Sequence, residues 1–285
     1  MKRNYILGII WTAVALALTL MLLRGLSGGF PGHWDAPLSL FGSGDETEAG
    51  SATRTNRFPA EDISYVKAEL ISVAVVADVS DDGMFHMDFT DKAEERCTVS
   101  LSGGSLSVKE KKRTRKELNR LGLKGAVCIS IPAAYSGRLN IDSVSGSIRM
   151  NGLQAQSADV ESVSGSISIS GCTIGRLSVE SVSGSIHADG SYEAVSAQSV
   201  SGSIKMECTE ALKDKCTLES VSGSISLGLP RGMGYTLEYE SMSGSFRDEI
   251  TGTSGKKHGS SQNGGGVPIS ISTMSGSIKV REAGK

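Results

Sequence analysis

Much that would announce a catalyst is missing from this chain of 285 residues. It has 4 histidines, His33, His86, His187 and His258, scattered too widely to form a metal-binding motif. It contains no Cys-x-x-Cys, so a zinc ribbon has no basis here. Aromatic residues make up 5%, too few for stacking platforms or a bulky globular core. The net charge of −2 removes the bulk signal for nucleic acid. The five cysteines, Cys97, Cys128, Cys172, Cys208 and Cys216, are odd in number, so at least one thiol lacks an intrachain partner. Cys208 and Cys216 bracket a short connection and could be bridged, although both keep inward apolar alternation and buried free thiols are the default. No residue set calls for a cofactor.

What is present is a repeat. The hexapeptide Ser-Val-Ser-Gly-Ser-Ile or a close variant occurs seven times, on Gly146, Gly165, Gly184, Gly202, Gly223, Gly244 and Gly276. Spacings of 19, 19, 18, 21, 21 and 32 residues indicate a stacked array. Aligned on the glycine, the residue seven before is Leu139, Ala158, Leu177, Val195, Cys216, Leu237 and Ile269. Five before stand Ile141, Val160, Val179, Ala197, Leu218, Tyr239 and Ile271, and two after stand Ile148, Ile167, Ile186, Ile204, Ile225, Phe246 and Ile278. Apolar residues at every second position mark half-buried strands. Each unit therefore reads as strand, corner, strand, with a second corner at Gly152, Gly171 and Gly190. Such a unit buries too little surface alone and must stack on its neighbours. The fold class expected is all-β, a single-stranded β-solenoid and by the rule for parallel crossovers a right-handed β-helix. Glycine at the corner is expected to supply φ > 0. The flanking serines are expected to trade hydroxyl hydrogen bonds along the stack, making Ser-Gly-Ser a corner rather than a row of nucleophiles.

The N-terminus is different material. Lys2 and Arg3 precede an uncharged, mainly apolar run from Tyr5 to Leu23, closed by Arg24. That run is long enough for a membrane-spanning helix, and the leading positive residues put the N-terminus inside. Small residues at Ala13, Ala15 and Ala17 also fit a cleaved signal peptide, but the apolar run continues past them. The organisation expected is an anchor over residues 1–26, a linker over 27–60 and a solenoid over 61–285. Within the solenoid, irregular capping coils occupy 61–135 and regular repeats 136–285. Ser102-Gly103-Gly104-Ser105 reads as a degenerate first corner, and 251–266 as a flexible insertion.

Two surface features could carry binding. Four residues before each glycine stand Asp142, Glu161, Glu180, Gln198, Glu219, Glu240 and Ser272, out of phase with the apolar columns and so facing outward. The acids among them, Asp142, Glu161, Glu180, Glu219 and Glu240, form a candidate cation-binding column for calcium or a cationic peptide, with a plain solvated face as the alternative. The basic run 109–124, including Lys111, Lys112, Arg113, Arg115 and Lys116, is a candidate loop for anionic partners or simply a solvated connection. A basic column of Arg149, His187, Lys205, Arg247 and Lys279 stands on the other side of the corner, where it diverges from the acids.

The hexapeptides, with Ile131-Pro132 ahead of the first, Leu229-Pro230 and Gly232 before the sixth and the 264–271 stretch before the seventh, resemble the bacterial "putative adhesin" family of β-strand repeats, the LiaG-like envelope proteins. Family members commonly read Gly-Asp where this chain reads Gly-Ser. The resemblance implies a solenoid on the outer face of a membrane behind one N-terminal helix, and it carries over no catalytic residue. The function expected is a membrane-anchored, extracytoplasmic, non-enzymatic binding or scaffold module of the cell envelope. Its partners would be a cell-wall polymer or envelope proteins. Two alternatives stand beside it: an accessory of envelope-stress signalling, and a β-helix polysaccharide lyase or hydrolase.

Overall fold

The computed structural model describes residues 55–90, 93–112 and 125–284. The expected anchor and most of the linker lie outside them, and no helix among the described residues is long and apolar enough to cross a membrane. The described chain is all-β, with one 3₁₀ turn at Ala60–Asp62 and one helical turn at Ala93–Arg96. The strands are β1 (Thr55–Phe58), β2 (Tyr65–Leu70), β3 (Ala74–Ser80), β4 (Phe85–Phe89), β5 (Cys97–Ser102), β6 (Ser105–Glu110) and β7 (Ala126–Pro132). Next come β8 (Arg138–Ser143), β9 (Ile148–Asn151), β10 (Gln154–Ser162), β11 (Ile167–Ser181), β12 (Ile186–Ser199), β13 (Ile204–Cys208), β14 (Cys216–Ser220) and β15 (Ile225–Leu229). The last four are β16 (Tyr235–Asp248), β17 (Ser254–Asn263), β18 (Val267–Thr273) and β19 (Ile278–Glu282). β1 falls inside the stretch read as linker, so the folded part reaches back at least to Thr55.

The regular coils stack in parallel and in register. Leu139 pairs with Ala158, Ala158 with Leu177, Leu177 with Val195 and Val195 with Cys216. On the other side of the corner Ile148, Ile167, Ile186, Ile204 and Ile225 pair in the same succession. All three apolar columns of the repeat lie inside, from fully buried to 7% exposed at Tyr239. The driving force is the burial of these columns, which no single coil achieves.

At both ends the spatial order departs from chain order. The coil β2–β3 lies between β6–β7 and β8–β9. After β1, which lies outermost on β4, the chain enters the stack at the second coil, runs outward to the first, and crosses back to continue. At the other end β18–β19 pairs with β14–β15 on one side and with β16 on the other. The seventh hexapeptide therefore sits between the fifth and the sixth. Antiparallel strands close the stack: β5 on β6, β4 on β7, β1 on β4, and β17 on β16.

Three expectations are corrected. Gly103 and Gly104, with φ 56 and 76, form the tight turn of the β5–β6 hairpin rather than a solenoid corner. The first corner in space is instead Ile71-Ser72-Val73, over which Val144, Ser145 and Gly146 stack. The 251–266 insertion is not a loose loop, since most of it is β17. Finally, none of the seven corner glycines has positive φ. Their role is close approach: a Cβ on Gly165, Gly184, Gly202 or Gly223 would overlap the carbonyl oxygen of the glycine one coil below. The same holds for Gly276 over Gly223 and Gly244 over Gly276. Gly152 and Gly171, with φ 65 and 62, are the left-handed ones.

Candidate functional site

The corner serines act as the repeat demands. The hydroxyls of Ser145, Ser164, Ser183 and Ser201 donate to the carbonyls of Ile71, Val144, Val163 and Val182 one coil below, at 2.9, 3.0, 3.1 and 3.2 Å. The inner serines bond within their own corner. Ser143 Oγ donates to the Gly146 carbonyl, and the Gly202 and Gly223 amides donate to Ser199 and Ser220 Oγ. Each of these hydroxyls is engaged in holding a corner together or to the coil below.

The acidic column is a real ladder in the middle of the stack. Asp142 stands in register with Glu161, and Glu161 with Glu180. Gln198 then interrupts, Glu219 follows, and Ser272 separates Glu219 from Glu240 because the seventh unit is inserted there. The ladder also extends the other way through Glu69, which pairs with Asp142 and which the repeat alignment missed because its coil lacks the hexapeptide. The alternation of Val66, Ala68 and Leu70 around it was the available signal.

The carboxylates differ sharply along the ladder. Glu69 accepts from Lys109 at 2.7 Å and Lys67 at 2.8 Å, and these bonds hold its carboxyl below the ordinary range. Burial, then the charge of Glu161, pushes Asp142 up to about 6. Burial also raises Glu161, with Glu180 and Asp159 adding repulsion, and raises Glu180, with Asp159 adding again. Burial raises Glu219 against the opposing pull of Lys215. One oxygen of Glu180 is buried without a hydrogen-bond partner. The ladder is thus closely paired with lysines at Glu69, while Asp142 accepts from Asn140 at 3.3 Å and feels the charge of Lys67. Glu161 and Glu180 stand half-buried with no lysine or arginine paired to them among the described residues.

These side chains run in single file about 4.8 Å apart. A calcium ion takes about six to eight oxygens converging on one point, and among the described residues no group of three His, Cys, Asp or Glu side chains is placed to hold a metal ion. The arrangement suits an extended cationic partner better than a chelated ion.

The basic column lies across the corner, on the face that carries β9 and β13. Arg149, His187 and Lys205 fall on successive or near-successive coils there, and Arg247 pairs with Lys279. Several of its members are matched on their own face: His187 with Asp189 at 3.7 Å, Lys279 with Glu249 at 3.2 Å, and Arg247 with Glu249 at 3.5 Å. Arg281 reaches across Gly228 to Glu207, a path that a side chain at Gly228 would block. The acidic and basic columns do not converge on a shared point. Of the basic run, Lys111 and Lys112 are exposed just after β6, while Arg113, Arg115 and Lys116 lie outside the described residues.

A cleft of about 780 Å³ opens at the back of the first coils, between Ile63, Phe85, Tyr135 and Arg138. The Tyr135 hydroxyl donates to the carbonyls of Arg138 and Ser64 at 2.7 and 3.2 Å, and its ring meets Phe85 edge-on. These groups are committed to packing. All five cysteines are free thiols, four of them buried, and burial pushes Cys97 and Cys208 up to about 12, which suppresses their reactivity.

With the stack described, its relatives can be placed. A model of the Toastrack DUF4097 family matches residues 68–194 and 191–281. The chain belongs to the Toastrack family. The match begins in β2 and ends in β19, so it spans the repeats and the irregular coils alike. No curated protein matches this Toastrack chain in sequence. Among solved structures it is similar to a "putative lipid binding protein" from Parabacteroides distasonis, at 17% identity and TM-score 0.44, covering 80% of this chain and 96% of that one. It is also similar to a "putative adhesin" from Bacteroides fragilis, at 15% identity and TM-score 0.41 with coverage of 80% and 96%. A third is a "putative cell adhesion protein" from Clostridium sporogenes, at 10% identity and TM-score 0.37 with coverage of 80% and 98%. Likenesses of this size transfer no ligand.

Proposed function

We propose that this Toastrack chain is a non-enzymatic binding module of the bacterial envelope, adhesin-like in action. In this reading residues 1–26 hold it in the membrane with the N-terminus inside and the solenoid on the extracytoplasmic face. The observation that carries the reading is the ladder Asp142–Glu161–Glu180 on a stiff parallel stack, in which Glu161 and Glu180 have no paired lysine or arginine among the described residues. A rigid face that repeats one charge at a fixed interval favours a partner that repeats its own positive groups, because each added contact is intramolecular once the first is made. Half-buried anions without counter-charge gain more from such a partner than solvated ones would. A positively charged wall polymer or a basic segment of an envelope protein fits. Among the described residues no acid, base and nucleophile converge to act on it.

The test is binding of the full chain, held in detergent or nanodiscs, to isolated cell envelopes, beside a variant carrying Asp142→Asn, Glu161→Gln and Glu180→Gln. Saturable binding that falls at least several-fold in the variant supports the ladder as the contact. Equal binding by both moves the contact elsewhere on the solenoid, and no binding by either sinks wall adhesion. Protease protection of the N-terminus in intact cells tests the orientation separately.

A further inference from the structure

The face that carries the acidic ladder carries a second column. Four residues ahead of each ladder position stand Arg138, Ser157, Arg176 and Ala194, in register from β8 to β12, and then Lys215 immediately before β14. They alternate with the same inward residues as the ladder does, so both columns look out from one side of the stack. Arg138, Arg176 and Lys215 are exposed, with Arg138 lying over the Tyr65 ring at 5.7 Å. None of the three forms an ion pair among the described residues.

The two columns match coil by coil. Where the first holds a cation the ladder holds an acid: Arg138 with Asp142, Arg176 with Glu180 and Lys215 with Glu219. Where the first is neutral in the β12 and β18 coils, at Ala194 and Pro268, the ladder is neutral too, at Gln198 and Ser272. The β10 coil departs from this, with Ser157 and Glu161. Four residues of strand set each cation about 13 Å from its acid, so one chain cannot close these pairs along its own strands. Between the columns runs a floor of short side chains, Asn140, Ser178, Ser196 and Thr217, interrupted by Asp159.

We propose that the partner of this face is a second copy of the chain, packed face to face about a two-fold axis that runs along the stack over the floor column. The inference rests on the reading of the ladder as the contact and names what the ladder meets. Such an axis exchanges the two columns and keeps each coil level with its counterpart. Arg176 then meets the partner's Glu180 while Glu180 meets the partner's Arg176, and the Arg138–Asp142 and Lys215–Glu219 pairs close in the same reciprocal way. Neutral positions meet neutral ones in the β12 and β18 coils, and the short floor leaves room for the long charged side chains to span the roughly 10 Å between packed faces. Asp159 faces the partner's Asp159 at a cost, which Arg138 and Arg176 on the adjoining coils offset. The patch is small for a permanent interface and exposed ion pairs are individually weak, so the dimer is reversible and salt-sensitive. Both stacks run the same way, as two chains anchored in one membrane would.

Sedimentation equilibrium of the detergent-solubilised full chain at low salt, combined with disulfide trapping, tests this. A dimer is expected that weakens as salt rises. Arg176→Glu should weaken it by about tenfold or more, because it sets like charges together twice. Because Arg176 is exposed, that variant is expected to keep the parent's melting temperature, which separates loss of pairing from loss of folding. Adding Glu180→Arg to it should restore the dimer, since the reversal is reciprocal, and Asp159→Asn in the parent should tighten it. On oxidation Ser196→Cys, on the axis, should cross-link, whereas Ser168→Cys, across the corner, should not exceed the parent. A chain that is monomeric at low salt and does not trap through Ser196→Cys overturns the proposal. A dimer indifferent to Arg176→Glu, or one that the double reversal fails to restore, overturns it as well. Envelope binding separates the two readings: a monomer that still binds envelopes through the ladder leaves the adhesin-like reading standing, and a dimer that binds none leaves only the pairing of copies.

Discussion

At one end of the stack a buried carboxylate is matched by a buried guanidinium, and at the other by hydroxyls and amides alone. Glu110 accepts the amides of Ile71, Ser72 and Val73 at 2.8, 2.8 and 3.1 Å and the Ser72 hydroxyl at 2.9 Å, and pairs with Arg96. Asp248 accepts the hydroxyls of Tyr235 and Ser261, each at 2.7 Å, and the amide of Ile250 at 3.0 Å. The difference follows from the direction of the corner hydrogen bonds. Through the stack the corner amides of one coil bond the carbonyls of the coil before, as Val163 does to Ser143 and Val182 to Ser162. The β6–β7 coil has no hexapeptide corner, so the corner above it is left with donors and no acceptors. Glu110 takes the place of the missing carbonyls, and its desolvated charge needs Arg96. At the far end β17 pairs the last coil through its backbone, and Asp248 ties the turn that leads into it and links Tyr235 of β16 to Ser261 of β17.

The comparison breaks most severely at the charged end. Glu110→Ala leaves three amides unmet and removes the carboxylate that faces Arg96, and should cost about 3–5 kcal/mol in chemical denaturation. The middle of the stack supplies the reference. Gly184→Ala sets a methyl against the backbone carbonyl of Gly165, with nothing flexible to yield, and should cost about 3 kcal/mol or more. Asp248→Asn keeps the shape and forces only hydroxyl reorientation, so about 1–3 kcal/mol is expected in the same assay. If it equals Glu110→Ala, the two ends are not chemically distinct.

The smallest effect is pH-dependent and of opposite sign. Burial works against ionisation of Glu110, but the Ser72 amide, Arg96 and the Ile71 and Val73 amides outweigh it and hold the carboxyl below its ordinary range. Its contribution is present above the unfolded carboxylate pKa and is lost as pH falls through the folded value. Asp142 is raised to about 6, so its contribution is complete below the unfolded pKa and is lost as pH rises through 6. Asp142→Asn should therefore stabilise the chain at neutral pH, by under about 1 kcal/mol once solvent screening is counted. The gain should shrink as pH drops through 6 towards the ordinary carboxylate range. Thermal melts of both proteins across that window decide it, and a gain that grows on acidification would contradict the assigned cause.

Much of the regular stack was legible from residues alone. The columns through Leu139, Ile141 and Ile148 recur at every unit, and alternation is a local property that any strand of such a stack must show. The outward acid column followed from the same alternation, but its extension through Glu69 did not, because that coil lacks the marker glycine. The corner glycine was expected for the wrong reason: a backbone angle is a property of one residue, whereas the contact that excludes a side chain comes from the next coil.

By itself the sequence determined that strands form, which face of each is buried, and that coils must stack, since period and polarity are written along the chain. Only the tertiary structure decided which coil lies on which. β2–β3 and β18–β19 are each threaded one place in from an end, and Glu110 meets Arg96 across a hairpin. Near-identical units pair almost equally well with one another, so their order is set by how the ends satisfy the donors and edges that stacking leaves open.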